Sequence, residues 1–354
     1  MSSEDPVETF RARILERKPL RVRGGGSKDF YGGVAAGELL DTRSHAGIVS
    51  YEPTELVVTA RCGTPLAELE SALAARRQCL ACEPPHFGAA TVGGAVAAGL
   101  SGPRRAAVGS LRDFVLGVKL MDGEGRVHRF GGEVMKNVAG FDVSRLVAGS
   151  LGTLGLILEV SLKVLPVTPG DASLRFEMPQ EKALEAMNRW AGQPLPLVAS
   201  CWQDGVLTLR LAGARAAVEA ACSRLGGTVM AEAEAADFWQ GLREQRAEFF
   251  AGEAPLWRLS LPSVAPPLDL PAPMLIEWGG AQRWMRGDAD GARMREVAAR
   301  AGGHATLFRG GQGQQRSGGV FAPLPPPLME IHRRLKQSFD PYGVFNPGRL
   351  YPEL

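Results

Sequence analysis

Three stretches of small residues limit what this chain can fold into. The first, RVRGGGSKDFYGG, runs from Arg21 to Gly33. The second, EPPHFGAATVGGAVAAGLSGPRRAAVGSLRD, runs from Glu83 to Asp113, and the third, GSLGTLGLI, from Gly149 to Ile157. Glycine loses more conformational freedom on folding than any other residue. Runs of it are therefore kept for tight turns, or for places where something comes too close to the backbone for a side chain. Gly makes up 44 of the 354 residues, and much of it falls in the first 155. Gly, Ser and Thr at a helix N-terminus leave backbone N–H groups for an anion, and a glycine turn can form an anion-binding nest. Three such loops, each beside an apolar strand pattern, fit convergence on one long polyphosphate ligand.

Several common readings are excluded. There is no G-x-x-x-x-G-K-[ST] loop and no G-x-G-x-x-G opening a strand–turn–helix unit, which removes the usual ATP and NAD motifs. A net charge of +2 gives no field to attract nucleic acid. The most apolar window, Phe87–Leu100, is glycine-broken and shorter than the ~20 residues of a membrane-spanning helix. The polar, acidic opening MSSEDPVETF does not read as a secretory signal, so a cytoplasmic, soluble chain without a membrane span is expected. The cysteines, Cys62, Cys79, Cys82, Cys201 and Cys222, are odd in number and read as free thiols. Cys79 and Cys82 form a single C-x-x-C with no second pair to complete a zinc site, so no metal is expected.

The patterns along the chain predict two kinds of domain. Pro19–Arg23 reads as a strand entering the first glycine loop. ELVVTARCG is a β-branched strand, followed by an amphipathic helix with Thr64 as N-cap and Pro65 at its first position. DFVLGVKLMDGEGRVHRFGG reads as a hairpin turning at Asp122–Gly125. Asp142 caps a short helix, and GLILEVSLKVLP is a long alternating strand closed by Pro166. Beyond it, a β-α-β-β-α order and further strands predict an α+β domain with an antiparallel sheet and helices on one face. PLPPPL, 323–328, is a joint, and a last helix leads into the tail YGVFNPGRLYPEL. No internal repeat is visible. The expected divisions are 1–166, 167–328 and 329–354.

With these motifs in hand, residues 19–165 resemble the FAD-binding domain of the vanillyl-alcohol oxidase (PCMH-type) family. RGGGS (Arg23–Ser27) is similar to that family's pyrophosphate loop, and TVGGAVAAGLSGPRR (Thr91–Arg105) to the segment that wraps the flavin. GSLGTLGLI is similar to its G-x-x-G-T-x-G-x-I signature, and FDPYGVFNPGR (Phe339–Arg349) to its C-terminal return to the flavin. More specific stretches, GLSGPRRAAVGSLRDFVLGV and MKNVAGFDVSRL, resemble the FAD-binding subunits of bacterial glycolate oxidases. The resemblance implies a two-subdomain PCMH-type domain followed by a smaller α+β cap domain. It also implies an FAD-dependent oxidoreductase subunit that acts on small 2-hydroxy acids, oxidising glycolate to glyoxylate. A catalytic flavin subunit and an iron–sulfur subunit would be its partners, and membrane association would come through them. The alternatives are a self-sufficient 2-hydroxyacid dehydrogenase and a non-catalytic interaction subunit with a structural flavin.

The resemblance places Arg23, Gly24, Gly25, Gly26, Ser27 and Lys28 at the pyrophosphate. It places Thr91, Gly93 and Gly94 along the diphosphate and ring, and Ser101 and Gly102 along the ring or ribityl chain. Arg105 would neutralise phosphate or reduced flavin, Gly155 and Ile157 would meet the adenosine end, and Asn346 would lie near the ring. Covalent members of the family often carry histidine in the pyrophosphate loop. Gly26-Ser27 stands there in this chain, so non-covalent FAD is expected. Ala95 and Ala98 stand where the 2-hydroxyacid dehydrogenase branch usually has Asn, and that branch's paired-histidine metal motif is reduced to GGHATLFRGG. His304 and Arg309 in that stretch are the candidates for base and carboxylate anchor.

Overall fold

A computed structural model describes residues 5–34, 36–132, 142–270, 272–311 and 319–354. The chain divides into two compact units. The first holds Met1–Leu100, Ser110–Pro166 and Pro323–Leu354, and the second holds Ser101–Gly109 and Val167–Ala322. The proline-rich joint thus returns the chain to the first unit, and nine residues of the second small-residue stretch belong to the second unit.

In the first unit, β1 (Leu20–Arg23) and β2 (Glu38–Asp41) form a parallel pair in the register Leu20↔Glu38 to Arg23↔Asp41. A five-stranded antiparallel sheet follows the order β3-β4-β8-β6-β7. Its strands are β3 (Ile48–Glu52), β4 (Val57–Arg61), β6 (Val115–Met121), β7 (Val127–Gly131) and β8 (Leu156–Lys163). The short strands β5 (Gln78–Cys79) and β9 (Leu165–Pro166) pair beside it. β8 alternates in sequence, yet six of its eight residues are buried. It is the middle strand, and the helix Val92–Ala98 packs against it, so its second face is covered too.

The hairpin between β6 and β7 turns as its sequence predicts. The buried Asp122 carboxylate accepts the backbone N–H groups of Glu124 and Arg126 at 2.9 Å and the His128 ring at 2.6 Å. Asp142 caps Val143–Leu146 by accepting from Arg145 N at 3.2 Å. Thr64 does not cap its helix, which begins at Leu66 with Pro65 as N-cap. Its buried hydroxyl donates instead to the Arg61 carbonyl at 2.7 Å and accepts from Gly47 N at 2.9 Å, fastening the end of β4.

One buried ion pair organises the chain's return to this unit. On the helix Pro326–Phe339 only Lys336 is buried. Its ammonium donates to Asp340 Oδ2 at 2.7 Å and to the carbonyls of Thr153 and Phe345 at 2.8 Å each. Asp340 accepts Val344 N and Phe345 N at 2.9 and 2.8 Å. Phe345 and Val344 thereby enter a core with Phe10, Ile14, Leu20 and Leu158.

The second unit carries one eight-stranded antiparallel sheet, in the order β13-β10-β12-β11-β15-β16-β14-β17. The strands are β10 (Gly170–Glu177), β11 (Leu197–Gln203), β12 (Val206–Gly213), β13 (Thr228–Val229), β14 (Leu256–Ser260), β15 (Met274–Glu277), β16 (Gln282–Arg286) and β17 (His304–Arg309). Numbered within each half, the strands read 4-1-3-2 and then 2-3-1-4. The sheet is therefore one motif used twice and joined at its two second strands, where Cys201 faces Glu277. The first half has a helix, Gln180–Ala191, between its first two strands. The second half has LPSVAPPLDLPAP there, 261–273, whose prolines bar a helix.

Removing Lys336 leaves a buried carboxylate without its cation, which commonly costs 3–5 kcal/mol. Lys336→Met is expected to lower unfolding free energy by about 3 kcal/mol on that scale. Urea unfolding followed by tryptophan fluorescence measures it; a loss below about 1 kcal/mol, the range of surface pairs, would show the pair to be peripheral.

Candidate cofactor-binding site

The three small-residue loops meet in the first unit, and glycine is required at their contacts with one another. A Cβ on Gly24 would overlap the Thr91 hydroxyl, and one on Gly25 would overlap the Ala89 carbonyl oxygen. Gly26 has a left-handed φ of 72° and curls the loop beside the Arg23 guanidinium, which pairs with Asp29 at 2.7 Å. The second loop enters the helix Val92–Ala98, with Thr91 as N-cap accepting from Gly94 N at 3.3 Å. Val92 N and Gly93 N donate to the carbonyls of Thr64 and Cys62 at 2.9 and 2.8 Å. The first turn of this helix is thus largely spent on the protein itself. The third loop joins the second where Leu151 N donates to the Ala97 carbonyl at 2.8 Å.

The C-terminal tail closes the ring. Asn346 is buried, with a left-handed φ of 43°, a region asparagine tolerates better than most residues. Its Oδ1 accepts Val22 N at 2.8 Å and its Nδ2 donates to the Leu151 carbonyl at 2.7 Å. One side chain therefore ties β1, the third loop and the tail. Arg349 donates to the carbonyls of Lys28 and Asp29 at 3.0 Å each and of Gly33 at 2.8 Å. Its fork holds the far side of the first loop, and burial lowers its pKa from the ordinary arginine value.

Inside this ring lie two adjoining cavities, of about 200 and about 60 Å³. They share Val22, Gly24, Gly94, Ala97, Leu151 and Asn346. Arg23, Gly24, Gly25, Gly26, Ser27, Lys28, Thr91, Gly94 and Asn346 line the larger, and Gly93, Gly155 and Ile157 join at the smaller. Charged residues lining the larger cavity are Arg21, Arg23, Lys28 and Arg349, against one carboxylate, Asp29. That surplus of positive charge, on a wall of bare backbone, fits a dianionic diphosphate. Lys28 Nζ donates to the His86 carbonyl at 3.2 Å, which holds it at the rim. Cys62 lines the smaller cavity. Burial pushes its thiol up to about 12, so it stays protonated and is a poor nucleophile at neutral pH.

The remaining candidates lie in the second unit. Gly102 accepts from Trp278 Nε1 at 3.1 Å, and the Arg105 guanidinium sits 4.5 Å from the centre of the Trp278 ring. Trp278 takes a left-handed φ of 55°, strained for so bulky a residue. Ser101, Gly102 and Arg105 line neither cavity. His304 and Arg309 end the same strand, roughly 17 Å apart at 3.4 Å per residue. Arg309 donates to Gln245 Oε1 at 2.8 Å. The strand does not pair the two over one small acid. The residues 135–141 of MKNVAGFDVSRL lie outside the described residues.

Sequence reasoning missed Arg349, Leu151 and Ala97 as wall residues. Arg349 stood inside a motif already singled out, and its donors are spent on carbonyls that no sequence pattern marks. Leu151 and Ala97 contribute backbone to their contact, so their side-chain types carry no signal.

A family model described as "FAD binding domain" matches residues 2–131. The chain is 50% identical over 353 residues to "Glycolate oxidase subunit GlcE" of Escherichia coli (strain K12), covering 99% of this chain and 98% of that protein. It is 31% identical over 187 residues to a D-lactate dehydrogenase of Archaeoglobus fulgidus, 51% of this chain and 41% of that one. It is 29% identical over 153 residues to "Glycolate oxidase subunit GlcD" of Bacillus subtilis (strain 168), 42% of this chain and 32% of that one. Among solved structures, an alkyldihydroxyacetonephosphate synthase superposes with a TM-score of 0.65 at 15% identity, covering 98% of this chain and 75% of that one. That likeness shows the fold.

Gly25→Val places a branched side chain against the Ala89 carbonyl and separates the first two loops. The variant is expected to keep its far-UV circular dichroism and to lose flavin affinity at least tenfold, about 1.4 kcal/mol. The ratio of flavin to protein absorbance after purification reads the loss; a stoichiometric ratio would reduce the loop to an ordinary turn.

Proposed function

The chain belongs to the family of the glycolate oxidase subunit GlcE, and from that premise we propose that it holds FAD within a complex that oxidises glycolate to glyoxylate. It is an oxidoreductase subunit and FAD is its cofactor. The observation that carries the reading is the cavity ring itself: three backbone loops, cationic at the rim, the first two of them within the segment that matches an FAD binding domain. Arg23–Lys28 would hold the diphosphate, and Thr91, Gly93 and Gly94 would support it from the second loop. Gly155 and Ile157 would border the smaller cavity. Asn346 and Arg349 act at one remove, because their side chains set the loop positions. FAD when bound supplies two-electron chemistry, and the protein supplies binding and orientation.

Removing electrons from a 2-hydroxy acid also needs a base within hydrogen-bond reach of the hydroxyl and a cation on the carboxylate. His304 and Arg309 do not form that arrangement. The reading therefore assigns substrate oxidation to the assembled complex. A second flavin subunit would meet the acid, and an iron–sulfur subunit would take the electrons onward. Among the described residues no helix is long and apolar enough to cross a membrane.

Two measurements test this. The isolated, flavin-loaded chain should reduce dye with glycolate or D-lactate at under about one hundredth of the complex's rate, the usual cost of losing one transition-state contact. Co-expression with the two other subunits should restore turnover. Comparable turnover by the chain alone would make it a self-sufficient dehydrogenase.

FAD should be held without a covalent bond, since Gly26-Ser27 replaces the attachment residue and the Cys62 thiol is protonated. Acid precipitation is expected to leave the yellow colour in the supernatant. Colour that stays with the pellet would place a bond between the ring and a side chain.

A further inference from the structure

His45 is a buried titratable group in the first unit that cofactor binding leaves unused. It sits in the loop 42–47 between β2 and β3, where it is buried while Arg43 and Ser44 just before it are exposed. Its ring meets the Phe10 ring edge-on, with 6.3 Å between centroids. Its Nε2 has no hydrogen-bond partner among the described residues. A neutral imidazole can stay in such a place. An imidazolium carries a donor on each ring nitrogen and a charge, and burial disfavours it. The charges acting on the ring are Arg61 on β4, Lys119 on β6, Glu159 on β8 and Asp5 at the head of the helix Pro6–Leu15. Two cations and two carboxylates cancel in sum, and Lys119 is already bonded to Glu159 at 3.1 Å. Burial first, and Arg61 second, hold the ring's pKa below the ordinary histidine value.

The same loop backs the smaller cavity. Thr42, at its start, lines that cavity together with Cys62. The Thr42 N–H and hydroxyl donate to the Arg23 carbonyl at 3.0 and 3.3 Å, which ties the loop to the first glycine loop as well. His45 N donates to the Thr42 carbonyl at 3.1 Å, and the His45 carbonyl accepts Gly63 N at 2.9 Å. At the far end of the loop, Gly47 N donates to Thr64 Oγ1 at 2.9 Å. The backbone of His45 therefore bonds Thr42 on one side of the wall and the neighbour of Cys62 on the other. A ring that has to reach water pulls on both, and the exposed residues before it make that path short.

Resting on the reading that the two adjoining cavities hold FAD, we propose that the loop 42–47 is an acid-sensitive latch on the cofactor: protonation of His45 swings the loop outward, opens the wall at Thr42 and Cys62, and lets the flavin leave. In the open loop His45 titrates near its ordinary value of about 6.5. The closed form is therefore fully favoured above that pH and loses ground as the pH falls below it.

The test uses the full, flavin-loaded chain, mixed rapidly from about pH 7.5 to about pH 5.5, a span that brackets histidine titration. Flavin fluorescence reads release, and far-UV circular dichroism reads the fold. One group of ordinary histidine pKa raises the open population about tenfold over that span. Release from wild type should quicken about tenfold, with the circular dichroism unchanged. His45→Phe keeps a ring beside Phe10, and His45→Gln keeps a neutral polar side chain. Neither titrates, so both should release flavin equally fast at the two pH values; if one fails to fold, the other decides. The same acceleration in a folded variant as in wild type would overturn the latch and leave the cofactor reading standing. So would wild-type release that does not change with pH, or that comes only with loss of the helical signal. A wild-type chain that purifies without flavin and takes up none from added FAD would overturn the cofactor reading and the latch with it.

Discussion

A lysine ammonium inside the first unit sets the position of one wall of the candidate cofactor cavity. Lys336 lies far along the chain from Thr153, yet it bonds that residue's carbonyl and the Phe345 carbonyl together, with Asp340 as counterion. A buried ammonium is costly unless its donors are filled, and here all three are. Burial pulls its pKa down while Asp340 pushes it up, with burial the larger influence. The arrangement does what a hydrophobic contact could not: an ammonium's three directed bonds fix the separation of three backbone segments at once. Asn346 stands next to Phe345, so its amide reaches Val22 and Leu151 only when Phe345 is so placed.

The glycines of the first loop are explained in part by the protein itself. Gly24 and Gly25 are backed by Thr91 and Ala89, so a side chain there would collide with the neighbouring loop before any ligand arrived. The same close approach leaves the opposite side of the loop as bare backbone, which is the surface a diphosphate needs. Stability and binding therefore make one demand on these positions. The second loop reaches its place differently. Its helix N-terminus is tied by Cys62 and Thr64, so positive charge at this end of the cavity comes mainly from Arg21, Arg23, Lys28 and Arg349 rather than from open N–H groups.

Features with local causes were legible in the sequence, and those with distant causes were not. The β6–β7 hairpin follows from Asp122–Gly125, and the cap at Val143 follows from Asp142. The strands flanking the glycine loops follow from their β-branched runs. Thr64 had an equally good local motif, but its hydroxyl is spent on the Arg61 carbonyl three residues back and on the more distant Gly47 N–H. In the second unit the α+β alternation could be read, whereas the sheet order could not. Which strands become neighbours depends on pairings such as Cys201↔Glu277, far apart in sequence. The doubled 4-1-3-2 motif left no trace in the residues, because the two halves share topology and differ in content: one has a helix where the other has a run of prolines. Within the site, twelve of the candidates came together because the loops did. Ser101, Gly102 and Arg105 belong to a stretch that the second unit claims through Trp278.

The pinning of the final helix links these two scales. A chain that must bring a tail back to build a cavity wall needs an anchor that specifies rotation as well as depth. Apolar packing specifies depth, because any of several neighbouring residues can fill the same hollow. The Lys336 bonds specify rotation, because a turn of 100° would pull the ammonium off all three acceptors.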